Sequence, residues 1–373
     1  MRRRLDPLLS DLRLAATWDM VVNLIGNRID HHAGHSGYDQ LARYLADRMP
    51  VRTLADYMSP LIGDWAWWWI AHRSGPWVAR RSGMEWYETY SLSLEMAAAA
   101  RFVSGRNAVY HYLYGENTYR YLGGLSRIGR RRNNKIVCSY HQPPEILDRI
   151  LHFRAMLDRL DAVIVVASNQ VSYFESVLGS DRVFLIPHGV DTDFYHPPVR
   201  LQSDDIRCLF VGKWLRDFKT LHGVARNLAV TDPAVRFTII TDPVHATMFK
   251  DQPNVTVLSL ISDAALLEAY HTSDLLLLPL EDCTANGALL DGLACGLPVV
   301  ATDIGGIRDY IDDSCGFLTP AQDVESMSRA IRTLASSPEL RATMSQSSRN
   351  RALSHDWRRI VNRFVDVYEG LLN

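Results

Sequence analysis

The chain has 373 residues, 47% of them hydrophobic and 22% charged, with a net charge of −2 at pH 7. These values exclude a disordered chain, a collagen-like repeat and a small disulfide scaffold. They supply no positive field for nucleic acid, so no nucleic-acid partner is expected. At roughly 100–200 residues per domain, the length predicts two domains.

The opening Met1-Arg2-Arg3-Arg4 imitates the basic start of a secretory signal, but Asp6, Asp11 and Arg13 interrupt any apolar run. No signal peptide is expected. No run of 18 apolar residues occurs, so no membrane span is expected either. Cys138, Cys208, Cys283, Cys295 and Cys315 form no C-x-x-C pair and sit mostly in apolar runs. They predict buried free thiols in a reducing, cytoplasmic setting.

In chain order, the first strand is predicted over 18–24 (WDMVVNL), followed by a His- and Gly-rich loop over 27–37 and a helix over 38–49 (YDQLARYLADRM). Strand, glycine loop and helix together open an α/β unit. Residues 55–130 are aromatic, rich in arginine and read as helical with loops. A buried strand is predicted over 135–140 (KIVCSY), a helix from Pro144 through Leu160, a strand over 162–167, a helix over 169–178 and a strand over 183–186.

The polar, proline-bounded residues 197–205 read as a linker. This divides the chain into domains 1–196 and 206–355. The second half alternates more plainly. Strands are predicted at 207–211, 236–241, 255–260, 275–279 and 298–301, with helices at 218–229, 262–272, 286–295, 305–311 and 322–336. Apolar strands between amphipathic helices predict an α/β fold, a doubly wound parallel sheet in each half.

Three segments carry candidate chemistry. In FVGKWLRDFKT (210–220), Gly212 allows a tight turn, and Lys213 and Lys219 are two of only four lysines among 40 basic residues. Two cations in a strand–loop–helix junction suit a diphosphate. They equally suit a solvated surface. In LLLLPLEDCTANGALLDGLACGLPVVATDIGG (275–306), a strand ends at Pro279 and a polar turn leads into a helix. That helix start offers free N–H groups to a phosphate, and Asp291 offers a carboxylate to a ribose. Gly305-Gly306 repeats the strand–turn–helix arrangement.

These ordered pieces resemble the retaining glycosyltransferases of the GT-B fold, family 4 type, also described as glycosyl transferases group 1. PHGVDTDFYHP (187–197) resembles the family's domain-crossing segment, FVGKWLRDFKT its basic phosphate loop, and LLDGLACGLPVVATDIGG (289–306) its donor-site helix and following strand. The likeness covers about 135 to the end well and the first 50 residues more loosely. It implies two Rossmann-like domains with a site between them, an N-terminal domain for the acceptor, a C-terminal domain for the donor, and a final helix over 356–372 packing back on the N-terminal domain.

The resemblance also implies roles. Lys213 and Lys219 would hold the donor diphosphate, and Asp291 the ribose. The base would be met near Leu260 and Ile261 through backbone. Ser36 and Gly37 lie in the place of the family's glycine loop, near the donor phosphates with Gly212, Thr284, Asn286 and Gly287. His141 would contact the donor sugar; its plainer reading is a turn histidine packed on Pro143. The family's first glutamate falls at Cys283, which leaves Asp282, Glu281, Thr284 or Asn286 to act there.

The implied reaction is hexosyl transfer from a nucleotide-diphosphate sugar to a hydroxyl acceptor, with retention and without a protein nucleophile. No cofactor is required beyond that donor substrate. A non-catalytic sugar-nucleotide-binding subunit, a phosphorylase and an epimerase on the same fold are the alternatives.

Two clusters stand apart. Asp30, His31, His32 and His35 could bind a metal only if helical, which Gly34 disfavours, so acceptor or phosphate contacts are expected and no metal. Trp65, Trp67, Trp68, Trp69, Trp77 and Trp86, interleaved with Arg73, Arg80 and Arg81, read as a packed subdomain, an aromatic acceptor pocket or a surface for peripheral membrane contact over 65–86. The basic run 127–135 reads as a solvated loop.

Overall fold

The computed structural model describes residues 20–26, 34–54, 75–152, 154–198 and 205–373. The chain forms two units, each built on a six-stranded parallel sheet.

The first unit takes β1 (Val21–Ile25), residues 38–186 and residues 360–373. Its remaining strands are β2 (Val51–Leu54), β3 (Ala108–Tyr112), β4 (Asn134–Tyr140), β5 (Ala162–Val165) and β6 (Val183–Leu185). The order is β2-β1-β3-β4-β5-β6, every pair parallel. From β1 the chain steps first to one side and then to the other, so the sheet reverses direction between β1 and β3. In such sheets, loops leaving the carboxyl ends of the two strands at the reversal splay apart and leave room for a ligand.

The second unit spans residues 187–359 together with the described residues 34–37. Its strands are β7 (Ile206–Val211), β8 (Val235–Ile240), β9 (Val255–Leu258), β10 (Leu275–Leu278), β11 (Val299–Thr302) and β12 (Gly316–Thr319). The order β12-β11-β10-β7-β8-β9 is again all parallel and reverses between β7 and β10. All four leucines of β10 are fully buried. A strand covered on both faces reads as an unbroken apolar run, and each such leucine contributes about 1.5–3 kcal/mol.

Several expected elements are corrected. The helix from Pro144 ends at Ile150, not Leu160. Leu151 leaves it to pair with Met84, Glu85 N donates to Ile150 O at 2.9 Å and His152 N to Gly83 O at 2.8 Å. The helix after the glycine loop is a 3-10 turn at Tyr38–Gln40 and a short helix at Leu41–Leu45, because the chain turns at Pro50 into β2. The 305–311 helix is a single 3-10 turn, Ile307–Asp309. Strands β2, β3 and β12 and the helix Pro338–Ser354 were not expected at all.

The boundary also moves. Residues 187–198 belong to the second unit instead of closing a 1–196 domain. Val190 N donates to His355 O at 3.0 Å and Trp357 N to Val190 O at 3.2 Å. The Arg349 guanidinium donates to the carbonyls of Thr192, Tyr195 and Ala294. Residues 199–204 of the expected linker lie outside the described residues. The last helix, Trp357–Leu372, belongs to the first unit from Ile360 onward. There Asn133 Nδ2 donates to Leu372 O at 3.0 Å and Arg363 Nη2 to Leu185 O at 2.7 Å.

Candidate functional site

The second unit gathers its candidates where its sheet reverses. Past β7, Gly212 takes φ +108°, a left-handed turn in which a Cβ would stand 2.8 Å from Arg216 Nη2. The Arg216 side chain folds back under this turn. Nε donates to Val211 O at 3.1 Å, Nη1 to Trp214 O at 3.0 Å and Nη2 to Asn286 Oδ1 at 3.1 Å. Asn286 Oδ1 also accepts Leu289 N at 3.2 Å and caps the helix Gly287–Ala294. One arginine therefore joins the loop after β7 to the helix start after β10. Sequence reasoning missed it; its only sequence signal is its place between Lys213 and Lys219.

Both lysines are exposed. Lys213 Nζ lies 2.7 Å from Asp242 Oδ2. Lys219 sits in the first turn of the helix Phe218–Thr231, which Asp217 fixes by accepting Thr220 N at 2.9 Å and Thr220 Oγ1 at 2.6 Å. Ile261 follows Leu260, which is 91% exposed at φ +54°.

Cys283 is buried, and burial pushes its thiol up to about 12. Its Sγ donates to Thr284 O at 2.9 Å, so the thiol is turned inward and uncharged. Thr284 is itself buried. Asp282 Oδ1 accepts Cys283 N at 2.7 Å. Gly305 at φ +57° closes over this turn; a Cβ there would stand 2.1 Å from Cys283 O, which accepts Gly306 N at 2.7 Å.

Three side chains of this unit hold residues 34–36. Asp263 Oδ2 accepts Gly34 N at 2.6 Å, Asp191 Oδ2 lies 3.0 Å from His35 Nδ1, and Asp291 Oδ2 accepts Ser36 Oγ at 3.1 Å. The His35 ring stacks on Phe194 at 3.8 Å, with the two planes 1° apart. Gly37 takes φ +100°. Asp291 is buried, and that burial, only partly offset by the Ser36 hydroxyl, raises its carboxyl to about 8. Burial thus favours its protonated form. Asp30 and His31 lie outside the described residues.

At the reversal of the first sheet the chemistry is aromatic. His141, just past β4, packs edge-on to Tyr38 at 4.5 Å and tilted to Tyr114 at 4.7 Å. Its backbone N–H donates to Glu116 Oε1 at 3.1 Å, and Nδ1 lies 3.5 Å from the same oxygen. Behind them runs a buried chain. Tyr38 Oη meets Ser139 Oγ at 2.9 Å, Ser139 Oγ meets His111 Nε2 at 2.7 Å, and His111 Nδ1 meets Tyr368 Oη at 2.6 Å. Burial lowers His111 to about 3, which keeps it neutral. Glu116 and His111 were missed because the stretch 55–130 reads as helical with loops, which hid β3.

Of the tryptophan segment, residues 65–74 lie outside the described residues. Trp86 packs against the first unit's core. Trp77 is 61% exposed, with the Arg81 guanidinium 4.1 Å over its ring. Among the described residues no helix is long and apolar enough to cross a membrane.

With this geometry in hand, comparison with known proteins adds the following. Residues 205–337 match the family model described as Glycosyl transferases group 1. A D-inositol 3-phosphate glycosyltransferase of Saccharomonospora viridis is 34% identical over 104 residues, 28% of this chain and 24% of the relative. The matched segment thus spans about a quarter of that relative's length. Among solved structures, sucrose-phosphate synthase from Thermosynechococcus elongatus aligns with a TM-score of 0.68 at 18% identity, covering 94% of this chain and 99% of the other. Anabaena HepE in complex with UDP and glucose aligns with a TM-score of 0.63 at 15% identity, covering 94% and 99%. These likenesses show the fold, two Rossmann-like domains of the GT-B architecture.

Proposed function

Proceeding from the match of residues 205–337 to the group 1 glycosyl transferases, we propose that the chain transfers a hexosyl group from a nucleotide-diphosphate sugar to a hydroxyl acceptor, with retention. One observation carries the reading. The reversal point of the matched unit collects Lys213, Lys219, Arg216 and a helix start capped by Asn286, which together suit a nucleoside diphosphate. The HepE neighbour bound to UDP and glucose supports the same donor class.

In this reading the bond from the sugar's anomeric carbon to the β-phosphate oxygen breaks, and a bond to the acceptor oxygen forms on the same face. The acceptor proton passes to the departing phosphate. Lys219 and Lys213, the latter exchanging Asp242 for phosphate, stabilise the charge that develops on the leaving group. These side chains supply the countercharge, so the reading calls for no metal or other cofactor. Gly212 and Gly287 let backbone approach the phosphates, with Ser36, Gly37 and Thr284 beside them. Asp291 meets the ribose, Asp282 stands in for the missing glutamate, and Ile261 meets the base through backbone. His141 contacts the sugar, and His35, with Asp30 and His31, serves the acceptor. The protein works in the cytoplasm and touches the inner membrane face through Trp77 and its neighbours.

A thermal-shift panel of UDP, GDP, ADP and TDP with their sugar conjugates tests this. One base series at a hundredfold excess over Kd should stabilise the fold by about 2.7 kcal/mol. A flat response to every nucleotide would overturn the donor assignment. The uncharged, inward-facing Cys283 favours the alternative of a non-catalytic sugar-nucleotide-binding subunit, which would show the same shift without turnover.

A further inference from the structure

Residues 117–144 hold six basic residues, Arg120, Arg127, Arg130, Arg131, Arg132 and Lys135, and no aspartate or glutamate. The basic run expected as a solvated loop is instead a helix, Ser126–Arg131, that leads into β4. Gly129 seats it. That residue is buried, and a Cβ there would collide with the Phe102 ring of the helix Thr89–Ser104. Arg132 Nη1 donates to Ser104 O at 3.1 Å. One side of the short helix is thus pressed against its neighbour, while Arg127, Ile128, Arg130 and Arg131 are exposed.

Two further observations single this surface out. Among the described residues of the first unit, the exposed large apolar side chains are Trp77, Tyr121 and Ile128. The segments of the first two are joined: Tyr121 Oη donates to Val78 O at 3.3 Å, and Arg120 Nε donates to Ser82 O. A 3-10 turn, Leu122–Leu125, then carries the chain from Tyr121 directly into the helix of Ile128. The positive charge is also uncompensated. Among the described residues no carboxylate pairs with Arg127, Arg130 or Arg131. Asp161 feels Arg130 only from a distance and accepts Ile136 N at 2.8 Å.

We propose that the first unit docks on a bilayer bearing anionic lipids through this surface, from Trp77 to Arg132. Unpaired like charges held close together repel, and a negative surface reverses that cost. Guanidinium forks match the oxygens of lipid phosphates. Trp77 and Tyr121, apolar in body with a polar tip, suit the headgroup boundary, and Ile128 adds apolar area beside the arginines. A nucleic acid would engage the same arginines and leave the three apolar side chains in water, so a lipid surface fits the whole of it. The Trp77 contact of the function proposed above becomes one edge of this surface, and the helix Ser126–Arg131 supplies the preference for negative charge. The proposal rests on the reading that the protein meets a membrane.

Flotation with vesicles of phosphatidylcholine alone, and of phosphatidylcholine mixed with phosphatidylglycerol, tests it. Wild type should float with the mixed vesicles and stay behind with the neutral ones. Each basic group close to an anionic surface is worth about fivefold in affinity, so Arg127→Gln, Arg130→Gln and Arg131→Gln combined should weaken binding about 100-fold. Lysine at the same three positions should keep most of the binding. Ile128→Gln should weaken it without changing the preference for the charged vesicles. Equal binding of wild type and the glutamine triple overturns the proposal. So does an equal loss in the lysine triple, which would trace the effect to the fold instead of the charge. If the glutamine triple floats like wild type while Trp77→Ala falls, the helix is excluded and the membrane contact at Trp77 stands. If wild type floats with neither vesicle, both readings fall.

Discussion

The two sheets reverse in the same way and furnish the reversal with opposite chemistry. In the second unit the loops carry Lys213, Arg216, Lys219 and a capped helix start, all suited to an anion. In the first, the loops after β1 and β3 carry Tyr38, Tyr114 and the buried Glu116, and the loop after the neighbouring β4 brings His141 against them. Strand order decides where a site can form; the loops decide what it holds.

The contrast extends to protons. His111 is neutral and buried in the first unit, with its pKa lowered to about 3 from 6.5. As pH falls from 6.5 toward 3, the unfolded chain gains a proton that the folded unit refuses, so acid removes stability there. Asp291 in the second unit is raised from 3.8 to about 8. As pH rises through that window the unfolded chain releases a proton that the folded unit keeps, so alkali removes stability.

The largest effects should come from these groups. Each should tilt stability by about 1.4 kcal/mol per pH unit within its window. In denaturant titrations, His111→Asn should flatten the acid limb and Asp291→Asn the limb between pH 5 and 8. Slopes of the same sign would break the comparison.

Next come the lysines proposed for the diphosphate. Lys219→Ala should weaken UDP or GDP binding about 10- to 100-fold by calorimetry. Lys213→Ala should cost less, because Lys213 already spends part of its charge on Asp242. Equal affinity in Lys219→Ala and wild type would remove the diphosphate from this edge. Asp291→Asn should lower nucleotide affinity about 2- to 10-fold through the ribose. A deoxyribose analogue that binds both proteins alike would show that contact absent.

The smallest effect belongs to Trp77→Ala. With Trp77 largely exposed, stability should move within about 0.5 kcal/mol. Flotation with anionic liposomes should fall if that surface meets lipid. An unchanged float fraction would leave the Trp77–Arg81 pair as a surface contact only.

The second unit was the more legible in sequence because its strands, above all LLLL at β10 and VVAT at β11, are covered on both faces and read as apolar blocks. The first unit hid β3, whose AVYHY places a histidine and two tyrosines in a fully buried strand. That pattern has no alternation, and the His111 ring is tolerated in it because Ser139 and Tyr368 meet its two nitrogens. The helix Pro338–Ser354 escaped notice for a related reason: it buries only Met344, Ser348 and Ala352, too few apolar groups for a stripe.

By itself, the sequence determined what depends on neighbours along the chain. It set the parallel α/β class, the glycine turn at Gly212, the cap at Asn286 and the basic loop, since periodicity, left-handed backbone and capping are local properties. Tertiary structure decided the pairings between distant residues. Arg216 meets Asn286 across 70 positions, His35 meets Asp191 across 156, and Ser36 meets Asp291 across 255. The same holds for the charges. Whether Asp291 keeps its proton and His111 refuses one depends on exclusion from water, and that exclusion exists only once distant segments close around them.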